Sequence, residues 1–395
     1  MTISNRFVPM PTPLPRPNWT PEFLESMRQI RDPEPDEIMR GIFEAGGLPA
    51  LEALKPFLYH WDYPVDDTLP KSIRDYLGRP VNYPSFLDFE KVKLAEDLFV
   101  AYGPVSTVVL LLNAVPRFFT NPAGARSFYL AKIFSPESLK IRMREVPQFV
   151  INICQRGGLK ESIQQDGSVK RGPGVITALK LRLAHARIRI VLKTQKAPDN
   201  WNQPDLGEPI NQEDLAEALM HFSMSTVDGL ELVGIHQTDV ERAATLEAWR
   251  AVGYLLGLVP ELQPSSVAEA LWLRNTIMKR HMAKTNEAAA LIAEMLGIMQ
   301  ELVPRVYRSL PAALMRNQLG DEIADMVGVP NPRLLVWFFR ITRGLWERET
   351  LFAHLAEKIS PYLVDWLIKH PTGESAPVTA PPAIQRSWAM PRRIH

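Results

Sequence analysis

The sequence predicts an all-α protein, built as a single large helical domain between residues 35 and 370. Three observations carry that expectation. Apolar residues recur at three- and four-residue spacing over long segments, β-branched runs bounded by turn residues are scarce, and no compositional seam divides the stretch. A chain of 395 residues, 46% of them hydrophobic and 23% charged, has ordinary globular composition and is long enough to bury a substantial core.

Residues 1–34 are rich in proline, which fixes φ and removes amide donors, so they are expected to form an arm that wraps the surface without regular structure. The very apolar run Val105–Val115 is expected to form a buried helix bounded by Gly103-Pro104 and Pro116, well short of the ~20 residues that cross a bilayer. Thr177 to Lys193, TALKLRLAHARIRIVLK, alternates like a strand at Leu181 and Leu183 and again at Ile188 and Ile190, but the parity breaks at Ala184–Ala186. A helix accommodates both pairs, which places His185 in mid-helix. Asn211, followed by Glu213 and Asp214, caps a further helix carrying Leu215, Leu219, Phe222 and Thr226 along one side, with Gly229 at its far end. Ser266 to Glu269 reads as a capping box that opens one long helix through Leu271, Ile277, Leu291, Met295 and Leu302, ending near Pro304. Residues 371–395 read as a flexible tail.

Charge and cysteine usage exclude several functions. Lys and Arg total 45 against 44 for Asp and Glu, so nothing draws the chain toward nucleic acid. The one cysteine, Cys154, rules out an intrachain disulfide and a cysteine-rich metal site; it lies in the apolar stretch VINIC and reads as an inert buried thiol. The proline-rich start offers no apolar core for a secretory signal, and the expected location is the cytoplasm. The oligomeric state is left open.

On the predicted helix, Ala178, Leu181, Ile188 and Leu192 share the face of His185 and make an apolar wall around one imidazole, against which a flat macrocycle fits. Arg182 and Arg189 sit at the margin of that face, where guanidinium groups pair with carboxylates. The same pattern also describes a core histidine satisfied by hydrogen bonds, with arginines that extend to water.

Four segments in order resemble the haem-b superfamily of latex-clearing rubber oxygenases and MpaB-type oxygenases. They are PSFLDFEKVKLAEDLFVAY (84–102), LRLAHARIR (181–189), PINQEDLAEALMHFSMSTVDGLELVG (209–234) and WRAVGYLLG (249–257). The second is similar to the family's histidine motif, so the resemblance implies His185 as axial iron ligand and Arg182 and Arg189 as its basic neighbours, placed for haem propionates. The third resembles the family's Asn-Gln-Glu-Asp helix start, here Asn211, Gln212, Glu213 and Asp214, read as capping. The resemblance implies a helical fold with a globin-like haem-binding core, haem b as cofactor, and dioxygen or peroxide meeting a hydrophobic small molecule on the open side of the iron.

The match departs on that open side. Where rubber oxygenases place an arginine, then a lysine and a threonine, ahead of a Phe-Val pair, this chain keeps Arg142 and Phe149-Val150 but has Glu145 and Val146. The departure weighs against rubber as the substrate. It leaves Arg142 to stabilise developing charge on oxygen and Glu145 as a proton shuttle, both also compatible with a solvated helix face.

Rival chemistries lack their signatures. None of the eight histidines follows a glutamate by three residues, and His-Glu-x-x-His is absent, as are the Gly-x-Gly-x-x-Gly, P-loop and Gly-x-Ser-x-Gly patterns. Glu217 and His221, four apart, form a candidate metal pair but fall on the polar side of their helix with Asp228, which reads as surface. A haem peroxidase remains the chemical alternative. A helical carrier of an apolar ligand, without redox chemistry, is the non-catalytic one.

Overall fold

The computed structural model describes residues 19–61, 63–133, 139–165, 168–194 and 201–337, with the side chains of 132–133 and 139–144 also outside the description. Residues 1–18 of the expected arm and the expected tail from 371 lie outside the described residues.

Helix α1 (Pro21–Met27) stands within the stretch expected to lack regular structure. Proline at a first helical position sacrifices no hydrogen bond, and Thr20 accepts from the Phe23 amide, so a proline-rich sequence still starts a helix here. Trp19 stacks on Trp272 at 5.6 Å and donates its indole N–H to the Glu261 carbonyl, which ties the segment to the body. Next come helices α2 (Pro33–Ala53), α3 (Lys55–Tyr59) and α4 (Lys71–Gly78).

Helix α5 (Phe89–Val109), capped by Asp88, does not stop at Gly103-Pro104. It passes through a π-helical turn, π1 (Leu110–Ala114), into α6 (Val115–Phe118). The wider π turn eases the ring of Pro116 into a helix that the sequence was expected to break. The resulting span, Phe89–Phe118, is long and apolar enough to cross a membrane by length and composition, yet π1 is completely buried, as in a core helix.

Helix α7 (Pro122–Ile133) precedes α8 (Leu139–Cys154), which a small antiparallel hairpin, β1 (Glu161–Ile163) and β2 (Val169–Arg171), connects to α9 (Pro173–Thr194). The helix expected around His185 is therefore present, from Pro173 to Thr194. After α10 (Gln203–Leu206) comes α11 (Gln212–Met220), capped by Asn211 as expected, then π2 (His221–Ser225) and α12 (Thr226–Glu231). Gly229 lies inside α12 and not at its end. A Cβ there would stand 2.4 Å from a Val109 methyl, so this glycine serves the close approach of α12 to α5.

The capping box of α13 (Asp239–Leu255) is formed by Thr238 and Glu241. The single long helix expected after Ser266 is two: α14 (Val267–His281) and α15 (Asn286–Glu301). Lys279, Arg280 and His281 close the first against its negative end, and Thr285 accepts from the Ala288 amide to open the second. Helices α16 (Leu310–Leu319) and α17 (Asp321–Met326) complete the order. One continuous hydrophobic core joins α1 through α17, and α5 packs along α13 while α9 packs on α2, α3, α8 and α13.

Candidate functional site

Helices α8 and α9 are antiparallel neighbours whose register is set by a buried amide ladder. Gln148 Nε2 donates to Asn152 Oδ1 at 2.6 Å, and Asn152 Nδ2 donates to Thr177 Oγ1 at 2.8 Å. With Asn152 opposite Thr177 and equal rise along both helices, Phe149 is level with Lys180 and Leu181, Glu145 with Ala184 and His185, and Arg142 with Arg187 and Ile188. Two of the sequence candidates, Glu145 and His185, thus come to one height of the helix pair, with Arg142 one turn further along. Glu145 is half-buried, and the side chain of Arg142 lies outside the described residues.

His185 stands between Ala184 and Ala186, both completely covered, and its own side chain keeps some bare surface together with Leu181 and Ile188 on the same face. The ring is nevertheless deep: burial, and then the Arg189 guanidinium, pull its pKa from 6.5 down to about 3. Among the described residues its nitrogens make no hydrogen bond. The imidazole is therefore neutral, with a lone pair free for a metal, in apolar surroundings. That donor fits a site where one imidazole would hold a bound metal.

The basic neighbours are engaged elsewhere. Arg182 donates to both oxygens of Asp32, at 2.6 and 2.8 Å, and Arg189 donates to Asp36 Oδ1 at 2.7 Å and to the Ile210 carbonyl at 3.2 Å. Arginines placed by resemblance for cofactor carboxylates thus meet aspartates of α2, and they clamp α2 along α9. Arg189 Nη2 remains buried without a hydrogen bond, as does Asp36 Oδ2. Lys180 adds to the same seam, donating to the carbonyls of His60, Trp61 and Tyr63 over the face of Phe57.

An aromatic wall meets these helices. Trp249 of α13 is buried; Phe149 of α8 lies 6.4 Å from it, and Phe222 of π2 lies 5.5 Å away edge to face. Trp249 enters the sequence reading only through a resembling segment, and Phe222 only as one residue of an apolar stripe. Their meeting depends on tertiary packing.

A second polar cluster lies in the interior where sequence polarity suggested a surface. Glu217 and His221 are completely buried, correcting that expectation. Asn121 Nδ2 donates to Glu217 Oε2 at 2.6 Å and to Asp214 Oδ1 at 3.0 Å, while its Oδ1 caps α7. Burial pushes both carboxyls up to about 7. His221 Nδ1 is 2.9 Å from Ser225 Oγ, which accepts from Arg274, itself paired with Asp228. Burial, then the Arg274 and Arg117 guanidiniums, hold the imidazole well below 6.5, so His221 is neutral. Among the described residues no three His, Cys, Asp or Glu side chains converge as metal ligands. Asp214 and Glu213, read as capping residues, are also buried partners: Glu213 accepts from Arg280 at 3.0 Å and pairs with His281 at 2.9 Å. Cys154 is half-buried, and its thiol is pushed up to about 12 by burial and then by Glu96, which disfavours the thiolate.

Residues 142–346 match the family described as ER-bound oxygenase mpaB/B′/Rubber oxygenase, catalytic domain. The chain is similar to the rubber oxygenase of Streptomyces sp. (strain K30), 26% identical over 319 residues that span 78% of this chain and 72% of that protein. Its fold is similar to the solved structure of latex clearing protein LCP in the closed state, with a TM-score of 0.67 at 21% identity, covering 87% of this chain and 92% of that one.

Proposed function

The chain belongs to the family of ER-bound mpaB/B′ oxygenases and rubber oxygenases, and from that premise we propose that it is a haem-b-dependent oxygenase that uses dioxygen to oxidise or cleave a hydrophobic substrate. The observation that carries the reading is the His185 imidazole: neutral, without a hydrogen bond among the described residues, flanked by completely covered alanines and sharing its helix face with the half-covered Leu181 and Ile188.

Haem b, when bound, supplies the dioxygen chemistry that no protein side chain provides. The chain supplies the rest. His185 would hold the iron through its ring. Arg189 offers its buried, unsatisfied Nη2 to a cofactor carboxylate while Asp36 fixes the rest of the guanidinium. Arg182, spent on Asp32, keeps α2 against α9 and so keeps water from the ring. Glu145, level with His185, moves a proton at the reacting centre, and Arg142, one turn on, stabilises negative charge developing there. The Phe149–Trp249–Phe222 wall gives an apolar substrate a surface to lie against.

An optical spectrum of the purified protein, with and without reductant, tests the reading. A Soret band that shifts on reduction is expected, and His185→Ala should abolish stoichiometric haem retention while circular dichroism keeps its helical signal. Haem retained by that variant with an unchanged spectrum refutes the ligand assignment. A colourless protein that cannot be reconstituted supports an apolar-ligand carrier instead.

A further inference from the structure

We propose that Phe222 sets the size of the apolar ligand admitted beside His185. The inference rests on the haem reading above and assigns the specificity of that site.

From Asn211 to Val227 every residue is buried except Ala218 and Phe222, which remain partly bare. Those two are four apart and share one face. Leu219, Met220, His221, Ser223 and Met224 around them are at most 4% exposed, so Ala218 and Phe222 form the one stripe of this segment that its neighbours leave partly uncovered. Phe222 also touches the Trp249 ring, whose other neighbour is Phe149. By the α8–α9 register, Phe149 lies one turn from the level of Glu145 and His185. The half-covered side chains of α8 (Val146 and Phe149), α9 (Leu181, His185 and Ile188) and π2 (Phe222) therefore belong to elements that converge on Trp249 and α9.

Backbone geometry supports the assignment. Phe222 sits in a π-helical turn, whose extra residue rotates α12 about the helix axis relative to α11. The turn packs against the π1 turn, and both are buried. It sends His221 toward Glu217 and Ser225 and leaves Phe222 on the side of Trp249. A large ring held by its neighbours on a rigid, buried turn makes a fixed wall and not a yielding one, and such a wall discriminates by bulk.

Alkyl isocyanides of graded size, titrated into the reduced haem-loaded protein and read by absorbance, measure the wall without any substrate. Phe222→Ala should tighten binding of tert-butyl isocyanide roughly tenfold while methyl isocyanide changes by less than about twofold, and Phe222→Trp should weaken the bulky ligand selectively. Phe222→Leu, which preserves core volume better, should fall between wild type and Ala and carries the test if the alanine variant does not fold. A tert-butyl to methyl ratio that is the same in all soluble variants overturns the inference and leaves the haem reading standing. A protein that takes up no haem overturns both.

Discussion

Glu217 Oε1 stands 3.6 Å from His221 Nε2, and neither atom has a hydrogen bond although both side chains are completely buried. The contact is too long for a hydrogen bond, and burial is the largest influence on each group: the carboxyl is raised to about 7, and the imidazole is held well below its ordinary range, by burial and then by the Arg274 and Arg117 guanidiniums.

The first prediction concerns stability against pH. Glu217 and Asp214 have folded pKa values above their unfolded ones, so the stability they contribute is present in acid and is lost as pH rises through about 7. His221 acts oppositely: its contribution is present above 6.5 and lost as pH falls below that value. Glu217→Gln removes the first titration while keeping the acceptor for Asn121. Relative to wild type, the variant should gain about 1–3 kcal/mol between pH 5 and pH 8 in urea denaturation. A difference independent of pH shows that Glu217 is ionised in the fold throughout.

This cluster also shows what sequence could and could not reveal. Helical class was legible because spacing in α9 and α11 is a local property, and the Asn211 and Ser266 caps are local too, whereas the Thr238 capping box of α13 went unread. The break between α14 and α15 carries its own signal, three basic residues and then Thr285, but the apolar period continues across it and masks the stop. Pro104 and Pro116 mislead in the reverse sense, since the π turn that accommodates the second proline depends on packing against π2. Polarity placed Glu217 and His221 in water because the partner that satisfies Glu217, Asn121, lies 96 residues away in the chain. Arg182 and Arg189 were legible as carboxylate binders, whereas the identity of the carboxylates, Asp32 and Asp36, was not.

The Arg182–Asp32 pair has a structural sensor in Gly257. Its φ is +79°, and a Cβ there would stand 2.5 Å from Asp32 Oδ2 and 2.7 Å from Arg182 Nε. Gly257→Ala should therefore suffer both backbone strain and a displaced ion pair. Gly234 has φ +85° with nothing within 4 Å, so Gly234→Ala measures the strain alone. The first variant should be less stable than the second by about 2 kcal/mol in thermal or urea unfolding. Equal losses mean that the pair yields to the methyl group at no cost.

Cys154 offers a chemical measure of the core. With its thiol raised to about 12, the native protein at pH 8 should react with a disulfide reagent roughly a thousandfold more slowly than the unfolded chain, because the thiolate is the nucleophile. Rapid labelling without unfolding exposes a path of entry between α5 and α8 that the packing does not predict.

The last prediction separates proton transfer from cofactor binding. His185 and Glu145 share one level of the α8–α9 pair, but their helices come from opposite sides of the connecting hairpin, so a change at one need not disturb the backbone of the other. Glu145→Gln keeps size and a hydrogen-bonding amide while removing the transferable proton. In the haem-loaded protein, stopped-flow reaction with hydrogen peroxide should slow about a hundredfold, with Soret intensity per mole of protein unchanged. Arg142→Ala should slow the same reaction by roughly ten- to a hundredfold, also without loss of haem, because charge stabilisation is removed and the iron ligand is not. His185→Ala must behave differently, losing the cofactor itself. If Glu145→Gln reacts at the wild-type rate, the half-buried carboxyl belongs to the packing of α8 and the proton comes from solvent; if it loses haem as His185→Ala does, Glu145 supports the cofactor and has no separate role in the reaction.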